Sequence, residues 1–202
     1  MIVYEENIMR KVIMFFCGLL LCLTIVGCGN DSYIESVLRI DKSGQVTCVL
    51  VEEFDKNYYD INELEEMIRL EVAEYNRNKG SESIILLSIE SVNEMAVAQF
   101  QYADYTDYAA FNEVDFFVGT VETAVNEGIN LNHVMLEAGK NNTISPEQVR
   151  ELTEYNLVMW QGDMPLEVPG KILYHTGELT LLGSKKIIAE PDLAGPFYLI
   201  YK

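Results

Sequence analysis

Residues 33–79 read YIESVLRI-DKSG-QVTCVLVEEF-DKNYYD-INELEEMIRLEVAEYNRNK, and this stretch sets the expected fold. Ile34, Ser36, Leu38 and Ile40 alternate on one face with a period of two, as do Val46, Cys48 and Leu50, which is the periodicity of strands. The segments Tyr33–Ile40 and Val46–Phe54 therefore form a hairpin. Asp41-Lys42-Ser43-Gly44 turns the chain between them, with Gly44 where a positive φ is needed. After Asp60 the period changes. Ile61, Leu64, Ile68, Val72 and Tyr75 follow one another at intervals of three or four, the stripe of an amphipathic helix spanning Asp60–Lys79. Asp60 and Glu63 have capping-box spacing, and Gly80 is a natural terminator. Glu63, Glu65, Glu66, Glu71 and Glu74 take the remaining faces, which face solvent.

The same order repeats downstream. Ile84–Val92 and Met95–Ala103 form a second hairpin around Asn93-Glu94, with Ala96, Ala98, Phe100 and Tyr102 on the face that meets the helix. A second helix starts near Thr106. Phe116-Phe117-Val118 is apolar, Thr120–Asn126 is a short helix ending at Gly128, and Ile129–Asn142 reads as irregular. Ser145-Pro146-Glu147-Gln148 opens another helix, with an N-cap Ser, Pro at the first helical position and Gln three residues on. Short strands follow at Leu157–Gln161, Lys171–His175, Glu178–Leu181 and Lys185–Ala189, and Phe197–Tyr201 closes a sheet. The expected class is α+β: an antiparallel sheet of hairpins packed on one long helix in ββα-ββα order, with a β-rich carboxyl region. Residues 155–202 either share the first core or form a β subdomain.

Composition narrows the partners. The chain has 202 residues, 14 Lys+Arg against 32 Asp+Glu, and a net charge of −18. Phosphate-backbone binding needs clustered Lys and Arg, and no basic run occurs, so nucleic acid is excluded as a partner. Apolar residues make up 49% of the chain, enough to fold around a real core.

The amino terminus carries an address. Arg10-Lys11 precede the apolar run VIMFFCGLLLCLTIV (Val12–Val26), which ends at Gly27-Cys28. A basic start, an apolar core of this length and a small residue before the cut make a secretory signal peptide. The run is shorter than the ~20 apolar residues that span a bilayer comfortably. Ile25-Val26-Gly27-Cys28 resembles the lipobox of bacterial lipoproteins, with Ile25 where Leu is commonest. That resemblance implies a diacylglyceryl group on Cys28 and cleavage before it. Residues 1–27 are then signal peptide, 28–32 a lipidated tether, and 33–202 a single extracytoplasmic domain. Glu5 and Glu6 are odd ahead of an export signal, whereas a start at Met9 gives Met-Arg-Lys and then the apolar run. Cys17 and Cys22 leave with the signal peptide and Cys28 carries lipid, so Cys48 alone remains in the fold and no internal disulfide forms. Cys48 lies in a strand and is expected to be buried and inert.

Asp41-Lys42-Ser43-Gly44 between strands, together with Val168-Pro169-Gly170-Lys171-Ile172-Leu173 followed by Gly177 and Gly183, resembles LppM-type bacterial lipoproteins. The resemblance implies an anchored α/β domain outside the membrane and carries over no catalytic residues. Members of that family often place a Trp on a strand after the last of these glycines; Lys185–Ala189 holds none.

Chemistry is sparse. The two histidines, His133 and His175, are far apart in sequence without a metal pattern, and His175 is expected at an exposed strand end. No HExxH, GxSxG, P-loop or GxGxxG sequence occurs. Asp55, Asn57 and Glu66 match positions 1, 3 and 12 of a calcium loop, but Tyr59 stands at position 5 and Asp60 where the turn needs Gly. No cofactor or metal is expected. Aromatics crowd residues 100–117, interleaved with Asp104, Asp107, Glu113 and Asp115. Most should be core: Phe100, Tyr102, Phe111 and one of Phe116 and Phe117. A ligand face, if one is built here, would use Tyr102, Tyr105 and Tyr108. The function read from the sequence is a non-enzymatic binding module, lipid-anchored through Cys28 to the extracytoplasmic face of the cell membrane, with an envelope protein, glycan or lipid as partner. The alternative is an envelope hydrolase using carboxylates of residues 100–117, such as Asp104 and Asp107.

Overall fold

The first hairpin is built from β1 (Val37–Ile40) and β2 (Val46–Glu53), paired antiparallel with Leu38 opposite Cys48. The computed structural model describes residues 35–190, 193 and 195–202. The expected signal peptide, Cys28 and its tether lie outside the described residues. The long helix α1 (Ile61–Lys79) follows; Asp60 caps it by accepting from the backbone N–H of Asn62, and Gly80 ends it at a φ of 77°. The stripe drawn from sequence meets the core through Ile68, Val72 and Tyr75, whereas Leu64, one turn earlier, is only half-buried and outside the apolar cluster.

β3 (Ile84–Val92) and β4 (Met95–Tyr102) form the second hairpin, whose two turn residues, Asn93 and Glu94, both take positive φ (52° and 62°). That left-handed pair matches the twist of the strands it joins. Then come α2 (Tyr105–Asn112), β5 (Phe116–Thr120), α3 (Val121–Asn126), β6 (Met135–Glu137), β7 (Thr143–Ile144) and α4 (Pro146–Glu151). Ser145 and Gln148 close a full capping box on α4. Residues 129–142, expected to be irregular, contain β6. The rest is strand: β8 (Asn156–Trp160), β9 (Leu166–Glu167), β10 (Ile172–His175), β11 (Leu179–Leu181), β12 (Lys186–Ala189) and β13 (Phe197–Tyr201).

The chain is thus mixed α+β, mostly strand, with two sheets and four helices among the described residues. One sheet runs β11-β12-β9-β1-β2-β4-β3 and the other β5-β8-β13-β10-β6-β7. The first sheet is not purely antiparallel, as the hairpins alone implied, because β9 pairs parallel to β1 with Leu166 opposite Leu38. Strands from residues 156–202 are distributed over both sheets, and their side chains join the cluster that holds Leu38 and Val46. A turn-rich carboxyl segment has no neighbour pattern that declares which edge it will join.

β13 explains where the core sits. All five of its residues are buried, with Phe197, Leu199 and Tyr201 entering the cluster between the sheets. Tyr198 and Ile200 enter a second cluster beneath α3 and α4, with Val121, Ala124 and Val149. A strand covered on both faces reads as a continuous apolar run, as FYLIY does. Burying each such side chain contributes roughly 1.5–3 kcal/mol.

Candidate functional site

The aromatic segment is mostly core. Tyr102 is 1% exposed and Tyr108 6% exposed, and their rings meet edge to face at 5.1 Å. Tyr108 also meets Phe116 at 5.1 Å. Phe116 and Phe117 are both buried, on opposite faces of β5, where sequence reasoning expected one. Tyr105 is half-buried and packs on Phe117 at 5.5 Å, so of the three tyrosines it alone offers surface to a ligand.

The carboxylates here hold structure. Asp104 caps α2, accepting from Thr106 N–H at 2.8 Å, Thr106 Oγ1 at 2.6 Å and Asp107 N–H at 3.1 Å. Burial pushes its pKa up, but the Thr106 hydroxyl and the cap N–H groups outweigh that and leave it lowered. Asp107 is buried and accepts from the Tyr75 hydroxyl at 2.9 Å and Lys79 Nζ at 2.8 Å, tying α2 to α1. Burial and the Asp107 hydrogen bond raise the Tyr75 pKa, and the same carboxylate raises that of Lys79. Both carboxylates are engaged in bonds within the fold.

His175 is not at an exposed strand end. It is 6% exposed, with Nδ1 at 2.7 Å from the Thr176 carbonyl, because β10 lies inside the second sheet between β13 and β6. His133 stacks on Tyr198 at 4.5 Å. Cys48 is buried. Asp55 pairs with Lys56, Asp60 caps α1 and Glu66 lies on it. Among the described residues no three His, Cys, Asp or Glu side chains are grouped to hold a metal ion.

The concave feature of interest lies elsewhere. A cleft of about 560 Å³ is lined by Asp41–Gly44 of the β1–β2 turn, Val118-Gly119 of β5, Asn156, Pro169-Gly170 and Tyr201-Lys202. Each wall has a local cause. Asp41 Oδ1 accepts from Ser43 N–H at 2.7 Å, Ser43 Oγ at 2.6 Å and Gln45 N–H at 3.1 Å, which fixes the turn. The Ser43 hydroxyl is the main reason the Asp41 carboxyl is held below its ordinary pKa. Gly44 has a φ of 87°, a conformation that L side chains rarely adopt. Across the cleft, a Cβ on Gly170 would sit 2.5 Å from the Lys202 carbonyl oxygen, so only glycine allows that approach. Lys171 and Lys202 exchange backbone hydrogen bonds at 2.7 and 3.0 Å, and Lys185 Nζ donates to the Pro169 carbonyl at 2.9 Å.

Sequence reasoning missed this cleft, although it picked out both principal walls. Asp41-Lys42-Ser43-Gly44 and Val168-Pro169-Gly170-Lys171 are the two stretches behind the LppM-type resemblance, and they meet here. Comparison of the chain with family models, curated proteins and solved structures finds no match.

Proposed function

We propose that this protein is an exported lipoprotein, anchored through a diacylglyceryl group on Cys28, that serves as a non-enzymatic binding module at the extracytoplasmic face of a bacterial cell membrane. The observation that carries the reading is the run Arg10-Lys11, apolar segment, Ile25-Val26-Gly27-Cys28, followed only seven residues later by Glu35, where the compact unit Glu35–Lys202 begins. Seven residues reach at most about 25 Å, so the domain works close to the bilayer. In this reading the ββα-ββα half, with its hairpins on the long helix, is the scaffold and the cleft at the β1–β2 turn is the binding surface. Its partner is an envelope protein, glycan or lipid.

Metabolic labelling with a fatty-acid analogue tests the anchor. The wild-type chain should take the label, and Cys28→Ser should lose it and accumulate as an unprocessed precursor. Label that survives Cys28→Ser overturns the reading.

A further inference from the structure

Cations are scarce in this molecule, and their pairing is uneven. The described residues contain 28 Asp and Glu, the 32 of the chain less Glu5, Glu6, Asp31 and Asp192, against 12 Lys and Arg, the 14 less Arg10 and Lys11. With acids in that excess, a surface cation finds a carboxylate easily. Seven do: Arg39, Lys56, Arg69, Arg77, Lys79, Lys140 and Lys186 each sit in an ion pair. Five have no carboxylate partner among the described residues: Lys42, Arg150, Lys171, Lys185 and Lys202. Arg150 instead bonds the Asn132 side chain. Of the other four, Lys42 and Lys202 line the cleft, and two adjoin its Pro169-Gly170 wall, Lys185 by a hydrogen bond and Lys171 in sequence.

The side-chain carboxylate that lines the cleft keeps its charge but forms no ion pair with these lysines. Asp41 spends one oxygen on three hydrogen bonds within its own turn. Lys202 is held over the Tyr155 ring, with Nζ 5.0 Å from its centre, a contact that keeps the charge without cancelling it. Ammonium groups are compact point charges suited to phosphate, and a concave, partly apolar wall focuses their field. The remaining lining supplies hydroxyl and amide groups from Ser43 and Asn156 and an apolar surface from Val118 and Tyr201.

We propose that this cleft binds a phosphate ester of a polyol, presented either by an anionic lipid headgroup or by a polyol-phosphate polymer. The assignment deepens the binding-module reading by naming the ligand chemistry. The acidic remainder of the surface repels the same ligand, so binding is confined to this pole.

Fluorescence anisotropy of labelled poly(glycerol phosphate), titrated with the full-length protein in zwitterionic detergent at low salt, tests it. The wild type should bind, and added salt should weaken binding by screening. The triple variant Lys42→Gln/Lys171→Gln/Lys185→Gln should lose roughly tenfold or more in affinity, since it removes charge-assisted contacts. The control triple Lys56→Gln/Arg77→Gln/Lys140→Gln makes the same change in net charge away from the cleft and should stay within about twofold, as exposed substitutions do. Phosphatidylglycerol doped into the micelles identifies a headgroup as ligand if it displaces the polymer while phosphatidylcholine does not. Retention of the polymer in its presence identifies the polymer. No binding by the wild type, or equal losses in both triples, overturns the proposal. Cys28→Ser should bind the soluble polymer like the wild type, so a failed anchor and a failed site give different results.

Discussion

The aromatic stretch Phe100–Phe117 and the pole formed by Asp41–Gly44 with Pro169-Gly170 have opposite relations between composition and role. The first is rich in tyrosines and carboxylates, the residue types of a sugar-binding or hydrolytic site. Its tyrosine rings nevertheless pack on Phe116, Phe117 and one another, while Asp104 caps α2 and Asp107 bridges to α1. The second is composed of turn residues and lysines and looks like mere connection in the sequence. It assembles the cleft, which Lys42 and Lys202 line, with Lys185 hydrogen-bonded to its Pro169 wall and Lys171 next to Gly170 in sequence. A residue's chemistry is available to a ligand only where packing has not already used it.

The largest effects should break or confirm the core role of the aromatic stretch. Tyr102→Ala and Tyr108→Ala should each cost about 3–5 kcal/mol, a large share of a domain's stability, measured by urea denaturation. Tyr105→Ala, half-buried, should cost clearly less. Midpoints for Tyr102→Ala and Tyr108→Ala unchanged from wild type would show that the two buried rings carry no packing energy and reopen them as a ligand face.

At the pole, backbone geometry is the sensitive element. Gly170→Ala forces a methyl against the Lys202 carbonyl and should cost about 1–3 kcal/mol while closing the cleft. Gly44→Ala has open space around it and should cost only the left-handed backbone strain, about 1–2 kcal/mol. Loss of polymer binding in Gly170→Ala with binding kept in Gly44→Ala would locate the ligand against the Pro169-Gly170 wall.

The link between α1 and α2 gives a pH test. Asp107→Asn should cost about 1–3 kcal/mol near neutral pH, because it weakens a buried acceptor shared by Tyr75 and Lys79. Both partners have raised pKa values when folded. The stability they contribute is present below their unfolded values, near 10, and is lost as pH rises through the folded ones. The difference between wild type and Asp107→Asn should therefore narrow above about pH 10; a constant difference would remove the Asp107 contact as its cause.

The smallest effect is at Glu52, whose pKa is raised by burial first and then by Asp163 and Glu53. A raised carboxyl favours the folded state below its unfolded value and opposes it as pH rises through the folded one. Glu52→Gln should stabilise by no more than about 0.5 kcal/mol at pH 7 and have no benefit near pH 4. Stabilisation at both values would mean that the charge is not the cause.

Local elements were legible from short-range patterns. The period-two runs marked both hairpins, the stripe ending at Val72 and Tyr75 marked α1, and Ser145-Pro146 with Gln148 marked α4. Phe197–Tyr201 was legible as a strand, but its burial on both faces was not, because that depends on α3 and α4 covering one side. The apolar stripe includes Leu64, which lies in α1 and is half-buried but outside the core cluster.

The amino-acid sequence by itself determined the hairpins, the long helix and the capped start of α4, the strong net acidity, and the lipobox-like run on which the proposed anchor rests. These follow from neighbours within a few residues, where propensity, capping and charge act. Only the tertiary structure decided that β9 lies parallel beside β1, that His175 is buried inside the second sheet, and that the turn at 41–44 faces the loop at 169–170. Those outcomes depend on which distant strands share an apolar layer. Burial is nearly indifferent to the order in which the chain supplies it, so no local signal could announce them.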